Sequence, residues 1–128
     1  MLVSPLDRQM PPPIRASLDE VRALRTLLLV EVPGALSLLD PVPGRQSVVI
    51  TRRIMLGAPM LAQVRPDAVI GPLIRDGWDI LDLGETLEAA GYAGPLFIFS
   101  RPLPRAELVL HELCAVCPRL QIRLLEAA

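Results

Sequence analysis

Two unbroken apolar runs constrain this chain more than any other feature. "TLLLVEV", residues 26–32, ends at a Pro-Gly pair, and "PLFIFS", residues 95–100, follows a glycine. A strand with one face in water alternates apolar and polar residues, whereas a strand buried on both faces is apolar throughout. The two runs therefore predict strands inside a sheet that is covered on both sides.

The segments around these runs alternate between strand and helix patterns. Further strands are predicted in "QSVVITRR", "DAVIGPLI" and the final "LQIRLLEA". Helices are predicted in "IMLGAPMLAQVR", in "PRAELVLHELCAVCP", and in "WDILDLGETLEAAGYAG", where Ile80, Leu83, Leu87 and Ala90 share one face. "GALSLLDPVPGR" allows at most a turn or two of helix before its prolines. Strands that alternate with helices through short loops predict an α/β fold with a five-stranded parallel sheet.

The N-terminal segment differs from the rest of the chain. Residues 1–16 contain "PPPI" and are predicted to form an extended, proline-rich arm. "SLDE", at Ser17–Glu20, is a capping-box pattern and predicts a short helix from Leu18 to about Arg25. We therefore divide the chain into the arm, residues 1–16, and one α/β domain, residues 17–128.

Composition argues against several classes of function. The chain has 128 residues, 52% of them hydrophobic, which suits one domain with a single core. A formal charge of −1 gives no basic footprint for nucleic acid or for an anionic membrane. No stretch has the roughly 20 apolar residues of a membrane span, and the start lacks a signal-peptide pattern. Two cysteines in one helical turn do not make a disulfide scaffold, so a cytoplasmic protein is expected.

Residues 26–125 resemble the receiver domain of response regulators, which has a flavodoxin-like fold. The similarity is carried by "LLLVEV" for the first strand, "PDAVIGPLI" for the third, and "GYAGPLFIFS" leading into the fourth. It implies a sheet of flavodoxin or receiver type in which the last helix is missing and an N-terminal arm and helix are added.

The same resemblance identifies the positions that would perform phosphoryl transfer. The acidic pair that holds Mg²⁺ falls on Glu31 and Val32, so one carboxylate remains. The phosphate-accepting aspartate falls on Pro72, or on Gly71 if the register shifts by one residue, and neither has a nucleophile. Ser100 keeps the switch hydroxyl, but the family's lysine is missing because the chain has none. The resemblance therefore implies a pseudo-receiver that is not an enzyme and has no cofactor.

Two further clusters of polar residues are better explained as structure than as sites. "HELCAVC" places His111, Cys114 and Cys117 at three-residue steps, but no second Cys/His pair completes a zinc site, so we expect buried cysteines and a surface histidine. Asp76, Asp79, Asp82 and Glu85 are also evenly spaced. A solvated helix face with acidic residues in its first turn explains them without a metal.

Trp78, the only tryptophan, follows the third strand and has two open interpretations. It could be an exposed anchor for a protein partner, because tryptophan is enriched at binding hot spots. It could equally fill the pocket that a phosphorylation site would occupy.

The predicted helices leave one side of the sheet short of cover, because the first is a stub and the last is missing. Leu18, Val21 and Leu24 form an apolar stripe on the N-terminal helix, which could cover its own sheet or a partner's. We therefore expect a non-catalytic interaction or dimerisation module in bacterial signalling or regulation, with a protein partner, and a homodimer first. The alternative is a small flavodoxin-like ligand-binding domain or enzyme that uses Glu31, Trp78 and Ser100 at the carboxyl edge of the sheet.

Overall fold

A computed structural model describes residues 15–127 and confirms the α/β class. Five parallel strands form the central sheet in the order β2-β1-β3-β6-β7. They are β1 (Thr26–Val30), β2 (Ser47–Thr51), β3 (Ala68–Pro72), β6 (Pro95–Ser100) and β7 (Gln121–Glu126). This order, with the second strand outside the first, is the one found in flavodoxin-like folds.

Five α-helices and a small hairpin surround the sheet within residues 15–127. The helices are α1 (Leu18–Arg22), α2 (Pro33–Leu39), α3 (Ala58–Val64), α4 (Ile80–Ala89) and α5 (Ala106–Val116), with a 3₁₀ turn at Arg53–Met55. The hairpin pairs β4 (Ile74–Arg75) with β5 (Trp78–Asp79) and was not predicted from the sequence. Across the same residues, no helix combines the length and apolar character needed to cross a membrane.

The core consists of two apolar layers, one on each face of the sheet. On one face, α3, α4 and α5 contribute Leu61, Leu83 and Leu113 among others. On the other face, α1 and α2 contribute Val21 and Leu39. The central residues of β1 and β6 are buried, as the unbroken apolar runs predicted, and all five residues of β3 are buried as well.

Helix α1 covers the chain's own sheet. Val21 is fully buried, and Leu18 and Leu24 are half-buried in the same apolar layer. The sheet face that was expected to need a partner is thus covered from within the chain. Leu18, Val21 and Leu24, which were expected at an interface, therefore pack in the domain's own core.

The helix is shorter than predicted, ending at Arg22 rather than near Arg25. Its start agrees with the cap prediction, because the Ser17 hydroxyl accepts a hydrogen bond from the Glu20 N–H (3.2 Å). At its end, the Gln46 side-chain amide donates to the carbonyls of Val21 (3.1 Å) and Leu24 (2.7 Å). These bonds satisfy carbonyl groups at the helix end, where they have no partner inside the helix.

Arg15 and Ala16, which precede the cap residue Ser17, join the far edge of the sheet. Arg15 forms a parallel bridge with Leu124 of β7, and the Ala16 N–H donates to the Leu124 carbonyl (2.7 Å). Ion pairs from Arg15 to Glu126 and from Glu20 to Arg123 flank this contact. The remainder of the predicted arm, residues 1–14, lies outside the described residues.

Two strands end earlier than the sequence predicted, each for a local reason. Strand β1 ends at Val30 because Glu31 has φ of 50°, which turns the chain out of the sheet and into α2. Strand β3 ends at Pro72, which has no N–H to continue the ladder.

Candidate functional site

The carboxyl edge of the sheet brings together the strand ends at which a receiver would hold its phosphate. Glu31 follows β1, Pro72 ends β3, and Ser100 ends β6. Val32, at the second acidic position, is 5% exposed and packs in the core beneath α2. The fold therefore aligns these positions at one edge, but the side chains there differ from those that phosphoryl transfer needs.

The position of the phosphate acceptor is filled by a core leucine. Gly71 and Pro72 are both buried. A Cβ atom at Gly71 would lie 2.3 Å from Leu83 Cδ2, so Leu83 of α4 packs directly on the glycine. Gly71 thus has no room for a larger side chain, and neither Gly71 nor Pro72 has a nucleophile.

Glu31 is held by bonds to the segment that follows β2. Its N–H donates to the Thr51 carbonyl (3.1 Å), and its Oε2 accepts from the Arg53 N–H (3.0 Å). Its Oε1 lies 3.9 Å from Arg75 Nε, at the start of the hairpin. A non-glycine residue in the left-handed region costs about 1–3 kcal/mol and persists only where its surroundings fix it. These contacts give Glu31 a structural role between β1, β2 and the hairpin.

Trp78 is half-buried and lies beneath an arginine. The Arg53 guanidinium carbon is 5.4 Å from the centre of the Trp78 ring, within cation–π range. The ring also packs against the core layer on the α4 side. Of the two interpretations, the geometry favours a residue that fills the edge of the core over a freely exposed anchor.

Arg53 itself has an unusual environment. Its Nη1 donates to the Thr86 hydroxyl (3.4 Å), while its Nε is buried without a hydrogen-bond partner among residues 15–127. Through its stacking on Trp78 and its hydrogen bond to Thr86, Arg53 holds the 3₁₀ turn against α4.

Ser100 lines an open groove at the end of β6. This open groove of about 500 Å³ is lined by residues of α2, β6 and the segment after β7, namely Gly34, Ser37, Leu38, Phe99, Ser100, Arg101 and Ala127. The Ser100 hydroxyl donates to the Arg101 carbonyl (2.6 Å). Glu31 and Trp78, the other two residues of the ligand-binding alternative, are not among the residues that line this groove.

Two of the four evenly spaced acidic residues form a helix cap, while Asp76 lies in the turn of the hairpin and Glu85 is exposed on α4. The Asp79 carboxylate accepts from the Asp82 N–H (3.1 Å), and the Asp82 carboxylate accepts from the Asp79 N–H (2.9 Å). This is a reciprocal capping box at the start of α4. Among residues 15–127, no group of His, Cys, Asp and Glu side chains is arranged to hold a metal ion.

The cysteine prediction was right for one residue and wrong for the other. Cys117 is fully buried, as expected, and His111 is exposed. Cys114 is exposed rather than buried, because the helix turns that position toward solvent. Partial desolvation raises the pKa of the Cys114 thiol, and burial raises that of Cys117, where the charges of Glu88 and Glu85 add to the effect.

The surface that the sequence interpretation missed is the outer edge of β2. Within residues 15–127, β2 pairs only with β1, so its other side is open. Large apolar side chains are exposed on this strand and the turn after it: Ile50 (63%), Ile54 (69%) and Met55 (60%). The signal was available in part, because a flavodoxin-like order places the second strand at the edge.

Comparison with known proteins gave no match, whether with family models, with curated proteins or with solved structures.

Proposed function

We propose that the chain is a non-catalytic pseudo-receiver, a protein-interaction module of bacterial signalling or regulation, and that it binds its partner through the outer edge of β2. The observation that carries this proposal is the coincidence of an unpaired strand edge with exposed Ile50, Ile54 and Met55. An open edge has backbone N–H and C=O groups to which another strand can add. Natural proteins usually protect such edges with charged residues, proline or bulges.

Three features of the carboxyl edge support a role without catalysis. Leu83 occupies the space above Gly71, the oxygens of Glu31 face Arg53 and Arg75, and the chain has no lysine. Phosphoryl transfer needs a nucleophile, a metal site and charge stabilisation at one place. The free thiols of Cys114 and Cys117 are compatible with a reducing compartment, and we place the module in the cytoplasm.

The homodimer was expected from the sequence because one face of the sheet was thought to be uncovered. In the structure, α1 and α2 cover that face. A second copy of the chain remains one partner that the edge of β2 could accept.

Site-specific photo-crosslinking of the full chain in its native cells tests the proposal. A photoreactive residue at position 50 should form a discrete crosslinked product with a protein. The same residue at position 108 is the matched control, because Leu108 is equally exposed (59%) but lies on α5, on another part of the surface. Equal products from both positions, or none from position 50, would refute an interaction surface at β2.

A further inference from the structure

Among residues 15–127, no strand pairs with the backbone groups on the outer edge of β2. The Ser47 N–H donates to the Arg25 carbonyl (2.7 Å), and the Thr51 carbonyl accepts from the Glu31 N–H (3.1 Å), so both residues face β1. Backbone groups alternate in direction along a strand in a parallel ladder. The N–H and C=O groups of Val48 and Ile50 therefore point away from β1, where an added strand would meet them.

The segment that contains this edge is basic, although the exposed Asp40 lines the same groove as Arg45. Residues 41–58, which contain β2 and the 3₁₀ turn, include Arg45, Arg52 and Arg53 and no acidic residue, although the whole chain has a formal charge of −1. Arg45 precedes the strand and Arg52 follows it, and both are exposed. Arg53 is turned inward onto Trp78. The strand edge is thus flanked by two solvent-exposed positive charges.

We propose that the occupant of this edge is an extended acidic segment of a partner protein, which adds to β2 as a further strand. Its backbone bonds the free groups of Val48 and Ile50, and its apolar side chains pack on Ile50, Ile54 and Met55. Its carboxylates lie against Arg45 and Arg52. This proposal rests on the proposed function and names the chemistry of the partner.

Charge disfavours a second copy of the chain at the same place. An antiparallel pair of β2 strands that aligns Val48 with Ile50 of the other copy brings Arg45 of each copy to the same end of the pair as Arg52 of the other. Both arginines are exposed, so like charges approach each other at each end of the pair. A carboxylate-bearing strand replaces that repulsion with attraction, and it does so at both ends of β2.

The probe for the test is a synthetic peptide whose centre alternates valine and threonine and whose two ends each have a pair of glutamates. Its matched control has the same centre with lysines at both ends. Binding to the full chain is measured from amide chemical shifts in NMR titrations. We expect saturable shifts at Val48, Ile50 and Met55 with the glutamate peptide, and at least roughly tenfold weaker binding of the lysine peptide.

Variants of the chain separate the backbone contribution from the charge contribution. Ile50→Pro removes an N–H that points away from β1, so the ladder inside the domain stays intact while strand addition is blocked. It should weaken binding at least about tenfold. Arg45→Ser combined with Arg52→Ser should weaken it about fivefold and reduce its dependence on salt. Arg101→Ser combined with Arg105→Ser is the matched control, because both arginines are exposed on the loop before α5.

Each outcome decides between the occupants. No saturable shift up to roughly 1 mM glutamate peptide, or equal binding of the lysine peptide, would overturn the acidic-strand proposal. Concentration-dependent dimerisation of the chain that Ile50→Pro abolishes would also overturn it, in favour of a second copy. If the crosslink at position 50 still forms in either case, the protein-interaction function remains supported, and only the proposal of an acidic partner segment is refuted.

Discussion

Replacing Gly71 with alanine would place a methyl group where Leu83 already packs. The added Cβ would lie 2.3 Å from Leu83 Cδ2, and Leu83 is fully buried, so it has no free space into which to turn. Overpacking of this kind costs about 1–3 kcal/mol, partly offset by about 0.4–1 kcal/mol from the stiffer unfolded chain. We expect Gly71→Ala to lower the free energy of unfolding by about 1–2 kcal/mol, a large share of the usual ~5–15 kcal/mol.

Urea unfolding followed by Trp78 fluorescence and by circular dichroism measures this change. With a slope of about 1–3 kcal/mol per M, the midpoint should fall by roughly 1 M. Gly34→Ala is the matched control, because its Cβ would lie at an ordinary 3.6 Å from Phe99 and its position is helical, so it should be neutral or stabilising.

A double-mutant cycle tests whether Leu83 is the cause. Leu83→Ala alone should cost about 2–5 kcal/mol through the cavity that it leaves. On that background Gly71→Ala should be close to neutral, which gives a coupling free energy of about 1–2 kcal/mol. If Gly71→Ala is neutral in the unmutated chain, or equally costly in both backgrounds, the packing argument is wrong, and with it the argument that the acceptor position has no room.

Four other results are expected. Acetyl phosphate with Mg²⁺ should add no phosphoryl group, because the end of β3 has no nucleophile, and an adduct on any Asp or Glu in mass spectra would contradict this. Burial, with a smaller contribution from the charge of Asp67, raises the pKa of Tyr92, the only tyrosine, so stability should be complete below the unfolded pKa of about 10 and fall above it. Tyrosinate absorbance should then rise together with unfolding, and a rise in the still-folded protein would refute the assignment. A thiol reagent should label Cys114 before Cys117, since only Cys114 is exposed, and equal rates would contradict the packing of α5. Val21→Asp should unfold the domain, as seen by circular dichroism, since it buries a charge; a folded monomer released from a dimer would show instead that α1 is an interface.

Sequence periodicity located the strands and helices but not the details of the edges. The stripe Ile80, Leu83 and Leu87 predicted the buried face of α4 correctly, because helical spacing alone determines which residues share a side. The hairpin at residues 74–79 was missed, since strands of two residues are too short for any periodicity. The left-handed conformation of Glu31 was missed because it depends on contacts from Thr51 and Arg53, which are distant in sequence.

The position of α1 shows which surface its apolar stripe covers. The sequence shows that the helix has an apolar stripe, but the stripe is equally suited to a partner's surface, and only the fold shows which surface it covers. Glu20 pairs with Arg123 of β7, and Arg22 donates to the carbonyls of Leu38 (2.9 Å) and Leu39 (3.0 Å) at the end of α2. These contacts anchor α1 across the sheet face from β7 to α2. An N-terminal helix thus covers this face of the sheet, and within residues 15–127 the exposed apolar surface lies instead at the outer edge of β2.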